Sequence, residues 1–275
     1  MNDPELKNGP GLSKGLRAKL DALQGLLLAS RPSLLAVSGG IDSRVLAACV
    51  RLWTPESKAV VFTGAQFAPS ETDYAAEYLR WLGLGFELQE VQTLRLPEVS
   101  RNTRQRCYAC KKTLFSGAQE LASRDGFFGV LEGSQQSDAG YFRPGSHALH
   151  ELGVRSPLKE VGLTKDEVRA LAAHFGLPWP DQPSRPCLLT RLAYGARVDR
   201  ETLQRVARVE ESISRLGLRE FRLRVPRPGS CLLQIFEGER AEAEDLQDRL
   251  HRILAHSGFA DWSVRIEGTL SGFFD

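Results

Sequence analysis

Six residues, Ser38-Gly39-Gly40-Ile41-Asp42-Ser43, constrain the fold more than any other stretch of the chain. They follow the apolar run Leu34-Leu35-Ala36-Val37 and precede Arg44-Val45-Leu46-Ala47-Ala48, so the sequence reads as strand, glycine loop, helix. Two adjacent glycines let the backbone turn sharply and approach a ligand with no Cβ in the way. The helix that follows offers unpaired N–H groups and the positive end of its dipole. Such a loop suits a pyrophosphate. Ser38 and Ser43 can add hydroxyl donors, and Asp42 can hold a magnesium ion that neutralises the phosphates. No Walker lysine follows the glycines. The bland alternative is a glycine-rich turn opening an ordinary helix.

The chain around this loop alternates between strand and helix patterns. Leu16, Leu20, Leu23 and Leu27 mark an amphipathic helix that stops before Pro32, preceded by a polar Gly- and Pro-containing arm. Lys58 to Thr63 reads as a buried strand, Gly64 to Pro69 as the loop beyond it, and Ser70 as the cap of a helix ending at Gly83. Phe86 to Val91 and Phe127 to Leu131 read as further strands, separated by the helix that Arg106 opens. Alternation of this kind predicts an α/β domain with a doubly wound parallel sheet, whose ligands lie beyond the carboxyl ends of the strands. Thr63, Gly133 and the segment Glu132 to Asp138 fall at that edge, and Thr63 and Gly133 join the loop residues as expected nucleotide contacts. Thr164-Lys165-Asp166-Glu167 is a capping box for a structural helix over Val168 to Phe175. From about Val198 the pattern changes to a long helix reaching Gly217, strands at Phe221–Val225 and Cys231–Phe236, a helix over Arg240–His256 and a strand at Trp262–Ile266. The expected organisation is therefore a larger domain over 1–190 and a smaller C-terminal α+β domain over 191–275.

At 275 residues the chain can bury one large or two modest cores. Thirty-six Lys and Arg against 34 Asp and Glu leave a net charge of +2, so no global field argues for nucleic acid or membrane partners. No secretory signal pattern and no bilayer-length apolar run is present, which reads as a cytoplasmic protein. The five histidines form no metal-binding spacing.

Three of the five cysteines have informative surroundings. Cys107 and Cys110 form a CxxC at the start of a predicted helix, among arginines and lysines that favour thiolates. Metal ligation, a redox pair or simple packing all fit a CxxC taken alone. Cys187 follows a proline-rich approach, with four prolines between Pro178 and Pro186, and is flanked by Arg185 and Arg191. Cys49 and Cys231 read as core residues. Arg222 and Arg224 alternate on one strand face, placed either for a phosphate or for solvent along an exposed edge.

The glycine loop resembles that of the PP-loop ATP pyrophosphatases, a HUP-like superfamily that cleaves ATP to AMP and pyrophosphate to activate a carbonyl or carboxylate. A wider set of motifs resembles one family within it. These are Arg106-Cys107-Tyr108-Ala109-Cys110-Lys111-Lys112, Tyr141-Phe142-Arg143-Pro144-Gly145, Val154-Arg155-Ser156-Pro157-Leu158, Leu163-Thr164-Lys165 and Pro186-Cys187-Leu188-Leu189-Thr190-Arg191 with Tyr194-Gly195. Together with the loop they resemble the LarE family of ATP-dependent sulfur transferases, which make the thiocarboxylate precursor of the nickel-pincer nucleotide of lactate racemase.

The resemblance implies an enzyme that adenylylates a carboxylate of pyridinium-3,5-biscarboxylic acid mononucleotide and converts it to a thiocarboxylate, releasing AMP and pyrophosphate. It implies ATP and Mg2+ at the loop, Cys187, Asp42 and Arg191 as catalytic residues, and Arg222 and Arg224 for the substrate phosphate. In members with one cysteine, the residue matching Cys187 gives up its own sulfur. In members that also carry the CxxC, three cysteines hold a 4Fe-4S cluster that accepts sulfide or another donor's sulfur, and Cys107, Cys110 and Cys187 place this chain with them. Three thiolates leave one iron open to an exogenous sulfur. A homo-oligomer is also implied. The chain departs from the family pattern at Thr190, where serine is usual, at Leu232 and Gln234, where a charged pair is usual, and at Glu132, Gln135 and Gln136. Rival readings are a PP-loop tRNA thiolase, an ammonia-dependent synthetase and a nucleotide-binding regulator.

Overall fold

The computed structural model describes residues 11–137 and 144–274. Tyr141, Phe142 and Arg143 of one family motif, Asp138 and the first ten residues lie outside the described residues. In order, the regular elements of the first part of the chain are α1 (Lys14–Ala29), β1 (Leu34–Ala36), α2 (Ile41–Trp53), β2 (Lys58–Thr63), α3 (Pro69–Leu82), β3 (Phe86–Glu90), α4 (Pro97–Ser100), α5 (Arg106–Arg124) and β4 (Val130–Leu131). The order continues with α6 (Pro144–Glu151), α7 (Pro157–Glu160), α8 (Lys165–His174), α9 (Arg200–Ser214), β5 (Phe221–Arg224), β6 (Ser230–Phe236), α10 (Arg240–Asp245), α11 (Gln247–Ala255) and β7 (Asp261–Glu267).

The chain divides into two compact units. One draws on Met1–Gly64, Glu71–Val91 and Cys107–Ser184, and the other on Ala65–Ser70, Gln92–Arg106 and Arg185–Asp275. The second unit thus takes two short segments from the middle of the chain as well as its C-terminal part.

In the first unit β1 to β4 form a four-stranded sheet in the order β3-β2-β1-β4, and all its pairings are parallel. Apolar residues at both faces of β1 and β2 suit a sheet covered by helices. Leu16, Leu20, Leu23 and Leu27 bury one stripe of α1, and α2 is buried continuously from Ser43 to Val50; both join one core with β1, β2, α3 and α8. Ser13 caps α1 through its side chain, and Thr164 and Glu167 form the predicted reciprocal capping box of α8.

The second unit has a mixed three-stranded sheet, β5-β6-β7, antiparallel between β5 and β6 and parallel between β6 and β7. Leu203, Val206 and Ile213 of α9, Leu250 and Leu254 of α11, and Leu223, Leu233 and Ile235 of the sheet supply its core.

Three local readings are corrected. The helix expected over Arg240–His256 is broken at Leu246 into α10 and α11. The strand expected from Phe127 is only Val130–Leu131, because the Phe127 N–H returns to Ala122 at the end of α5 and Phe128 bonds Pro32 while exposing its ring. Helix α3 starts at Pro69 rather than after a Ser70 cap; proline suits the first helical position because it has no N–H to leave unpaired.

Candidate active site

The sheet order places β4 next to β1 on the side away from β2, so the connections leaving β1 and β4 meet where the winding reverses. The glycine loop follows β1, and the segment Glu132–Ser137 follows β4. A Cβ on Gly133 would lie 2.9 Å from both the Ser43 N and Cα atoms, so these connections touch backbone to backbone. Gly39 adopts a φ of 82°, which side chains rarely allow, and a Cβ there would come within 3.1 Å of the Glu71 carbonyl. Both positions require glycine. Ser43 Oγ donates to the Gly40 carbonyl (2.9 Å) and accepts from the Ser38 N–H (3.3 Å), which keeps the loop tightly curled.

Charged groups complete this end of the first unit. Lys165 Nζ lies 2.7 Å from Asp42 Oδ2. Arg44 is wholly buried one residue after Ser43, where burial lowers its pKa and the rings of Tyr74 and Tyr78 partly oppose the shift. Its guanidinium donates to the carbonyls of Gly39, Pro178 and Trp179 and to Gln182 Oε1. Glu132 accepts from the Ser134 N–H and hydroxyl and from Ser156, so this departure from the family pattern serves to hold its own loop. Thr63 ends β2 and accepts the Val91 N–H at 2.9 Å.

The CxxC lies where predicted, at the start of α5. Cys110 is buried and Cys107 half-buried. The chemistry of the donors fits an iron–sulfur group: Cys107 and Cys110 share one helical face in the first unit, and Cys187, in the second, is a thiol of the same kind. Among the described residues no three or more His, Cys, Asp or Glu side chains gather as a metal-ion site. Burial pushes the Cys49 thiol well up and the Cys231 thiol to about 11, as expected of inert core residues.

Cys187 opens the short 3-10 turn Leu188–Arg191 of the second unit, and its carbonyl accepts from the Thr190 N–H and hydroxyl. The family's usual serine hydroxyl is therefore retained by threonine. Arg191 is buried and forms a two-point ion pair with Glu210 of α9 at 2.6 and 3.0 Å. Burial pushes the Glu210 carboxyl up, but the charge and hydrogen bonds of Arg191, with the Leu223 N–H, outweigh it and hold the pKa below the usual carboxylate value.

Arg222 and Arg224 are buried, which excludes a solvated edge. Burial, with Arg191 close by, lowers each to about 10. Arg224 donates to Gln234 Oε1 and the Thr190 carbonyl and lies over Phe273. Gln234 in turn donates to Glu267 and the Thr269 carbonyl, so the residue that replaces a usual charge links an arginine to an acid. Arg185, Arg191, Arg222 and Arg224 repel one another, with Glu210 and Glu267 as the neighbouring acids. The excess is positive, which suits a phosphate.

Two residues of the second unit carry buried polar atoms to which the sequence alone assigns no role, although Arg106 opens the motif over 106–112. Gln66 is fully buried, with its carbonyl on the Leu188 N–H and no hydrogen bond to either polar side-chain atom among the described residues. Arg106 is buried against the Tyr194 ring at 4.3 Å, with Nε and Nη1 likewise unpartnered. Buried polar atoms are nearly always paired, so these atoms retain hydrogen-bonding capacity that a bound group could use.

No family model matches the sequence. The chain is 35% identical over 210 residues to an uncharacterized protein, slr1717, of Synechocystis sp., spanning 76% of this chain and 78% of the relative. It is 28% identical over 240 residues to the pyridinium-3,5-bisthiocarboxylic acid mononucleotide synthase of Lactiplantibacillus plantarum, spanning 86% of this chain and 87% of that enzyme. The chain belongs to the LarE family. An uncharacterized protein, MJ0830, of Methanocaldococcus jannaschii is 24% identical over 178 residues. Against the LarE pattern, Leu232 is a buried core residue of β6, so one half of the usual charged pair has been absorbed into packing while Gln234 keeps polar contacts. No helix among the described residues is long and apolar enough to cross a membrane.

Proposed function

We propose that this chain is an ATP-dependent sulfur transferase that converts a carboxylate of pyridinium-3,5-biscarboxylic acid mononucleotide to a thiocarboxylate, supplying nickel-pincer nucleotide synthesis. The observation that carries the reading is LarE membership in a chain whose Gly39-Gly40 loop and Gly133 meet at the ligand edge of a parallel sheet.

In this reading the loop is the PP-loop. Backbone N–H groups at the start of α2 and the Ser38 and Ser43 hydroxyls hold the phosphates, with Thr63 and Gly133 beside the nucleotide and Asp42 toward Mg2+. A substrate carboxylate oxygen attacks the α-phosphorus; the bond to the bridging oxygen breaks, and pyrophosphate leaves with the electron pair. Sulfur then attacks the acyl carbon and AMP departs. Arg222 and Arg224 hold the substrate phosphate, Arg191 is fixed by Glu210 beside Cys187, and the unpartnered donors of Arg106 and Gln66 receive a carboxylate oxygen. Cys107, Cys110 and Cys187 would hold three irons of a 4Fe-4S cluster, which when bound supplies an open iron for sulfide from an external donor. Cys187 acting alone is the alternative: it would attack the adenylate, form a thioester and then surrender its sulfur by elimination. The protein would act as a homo-oligomer on a small nucleotide, with neither nucleic acid nor membrane as partner.

The test combines purified protein, the bis-carboxylate mononucleotide, MgATP and sulfide. Release of AMP and pyrophosphate that depends on the mononucleotide, with an oxygen-to-sulfur mass change in it, is expected. ATP turnover unaffected by the mononucleotide, or product formed without AMP, would refute the reading.

A further inference from the structure

We propose that Phe273 and Phe274 form an aromatic corner that takes the cationic pyridinium ring of the mononucleotide, beside the arginine that takes its phosphate. The inference rests on the sulfur-transfer reading above and adds to it the residues that select a charged ring.

The corner is built by the segment that follows β7, wholly within the second unit. Two side chains fix that segment by its backbone. Gln234 donates to the Thr269 carbonyl at 3.0 Å, and Arg224 donates to the Leu270 carbonyl. The departure from the family pattern at Gln234 therefore serves as an anchor. Gly272 adopts a φ of 70°, a left-handed conformation that lets the backbone turn before the two rings. Phe273 and Phe274 then lie with ring centres 4.8 Å apart and planes at 89°, edge to face. Arg224 Cζ is 5.2 Å from the centre of the Phe273 ring and 6.0 Å from that of Phe274.

Both rings are only half-buried, so aromatic surface remains open beside the arginine. An aromatic face attracts a cation, and the guanidinium already seated on these rings shows the charge they accept. A pyridinium ring is likewise a planar, delocalised cation. Arg224 keeps donors for the anion. Its Nε donates to Gln234, Nη1 to the Thr190 carbonyl and Nη2 to the Leu270 carbonyl, which leaves two of the five guanidinium N–H groups. A phosphate bound there also offsets the charge of Arg224, so the guanidinium no longer repels a second cation at the rings. One ribose separates phosphate from ring in a mononucleotide. A phosphate on Arg224 thus brings the pyridinium to the neighbourhood in which the aromatic pair stands.

The test is calorimetric titration of the full chain with three probes: the bis-carboxylate pyridinium mononucleotide, the same compound reduced to its uncharged dihydropyridine, and ribose 5-phosphate. Phe273→Leu/Phe274→Leu keeps apolar bulk but removes both aromatic faces. It is expected to weaken the pyridinium compound about fivefold or more, as for loss of a cation–π contact, and to leave the other two probes within about twofold. Each single leucine variant repeats the measurement should the double variant fold poorly, with a loss of about threefold expected for the pyridinium compound alone. Phe273→Trp, whose ring attracts cations best, should hold that compound at least as tightly as wild type. Equal binding of the pyridinium compound by wild type and the leucine variants overturns the assignment and leaves the sulfur-transfer reading standing. Weakening of all three probes alike also overturns it, because the segment then serves only to hold Arg224. Tighter binding of all three overturns it as well, since the segment is then a cover over the arginine. A wild-type chain that binds neither the mononucleotide nor ribose 5-phosphate overturns the substrate reading and the assignment together.

Discussion

Replacing Glu210 by glutamine tests the electrostatic organisation around Cys187. The carboxylate takes both Arg191 nitrogens at 2.6 and 3.0 Å and the Leu223 N–H at 2.8 Å, and Arg191 is only 2% exposed. Glutamine can keep one acceptor oxygen but brings no charge, so Arg191 would stay buried and uncompensated among Arg222 and Arg224. Breaking a buried pair from one side costs about 3–5 kcal/mol, whereas replacing both partners by apolar groups is often neutral. Urea denaturation should therefore show Glu210→Gln less stable by about 3 kcal/mol or more, with Glu210→Leu/Arg191→Met recovering most of the loss. The pH dependence follows with a definite sign. The folded Glu210 carboxyl lies below its ordinary value, so its contribution is complete above that value and is lost as pH falls through the folded one. Wild type should lose stability more steeply than Glu210→Gln across that acidic window. A single variant within about 1 kcal/mol of wild type, or parallel acid profiles, would refute the reasoning.

Other outcomes follow from the same geometry. Gly133→Ala must displace the Ser43 backbone, which lies 2.9 Å from the added Cβ; it should lower stability by about 1–3 kcal/mol in urea and weaken MgATP in titration. Arg44→Met removes the donors that four acceptors share, so a loss of about 2–4 kcal/mol in the same assay is expected. Under anaerobic purification the chain should carry about four irons with acid-labile sulfide, lost in Cys107→Ala. An iron-free, colourless protein after reconstitution would instead direct attention to a mass loss at Cys187 after one turnover.

The first unit was readable because its signals are local. A glycine pair between an apolar run and a helix, a capping box, and leucines at helical spacing each fix a few residues, and β2 came out with its expected bounds. Strand order was not written in those signals, so nothing in the sequence announced that Gly133 would abut Ser43. The second unit was harder for a topological reason: it borrows Ala65–Ser70 and Gln92–Arg106 from the middle of the chain. Gln66 was missed accordingly, and Arg106 was read only as part of its motif, since a polar side chain acquires this meaning only through burial without a partner. Lys165 was visible as part of a motif, but its pairing with Asp42 spans 123 positions and has no local trace. Break points such as Leu246 and the short β4 follow from hydrogen bonds at element ends, where periodicity carries least information.

Arg44 ties together two stretches that would otherwise answer to different forces. One guanidinium grips the carbonyl of Gly39, in the loop, and those of Pro178 and Trp179, in the proline-stiffened run that leads on toward Cys187. Proline denies that run the freedom to absorb a displacement by local rotation. A displacement of the Gly39 carbonyl is therefore expected to be felt at Pro178 and Trp179, because one guanidinium bonds all three. Occupation of the glycine loop should then register in hydrogen exchange at residues 177–182, which a protein with an independent proline run would not show.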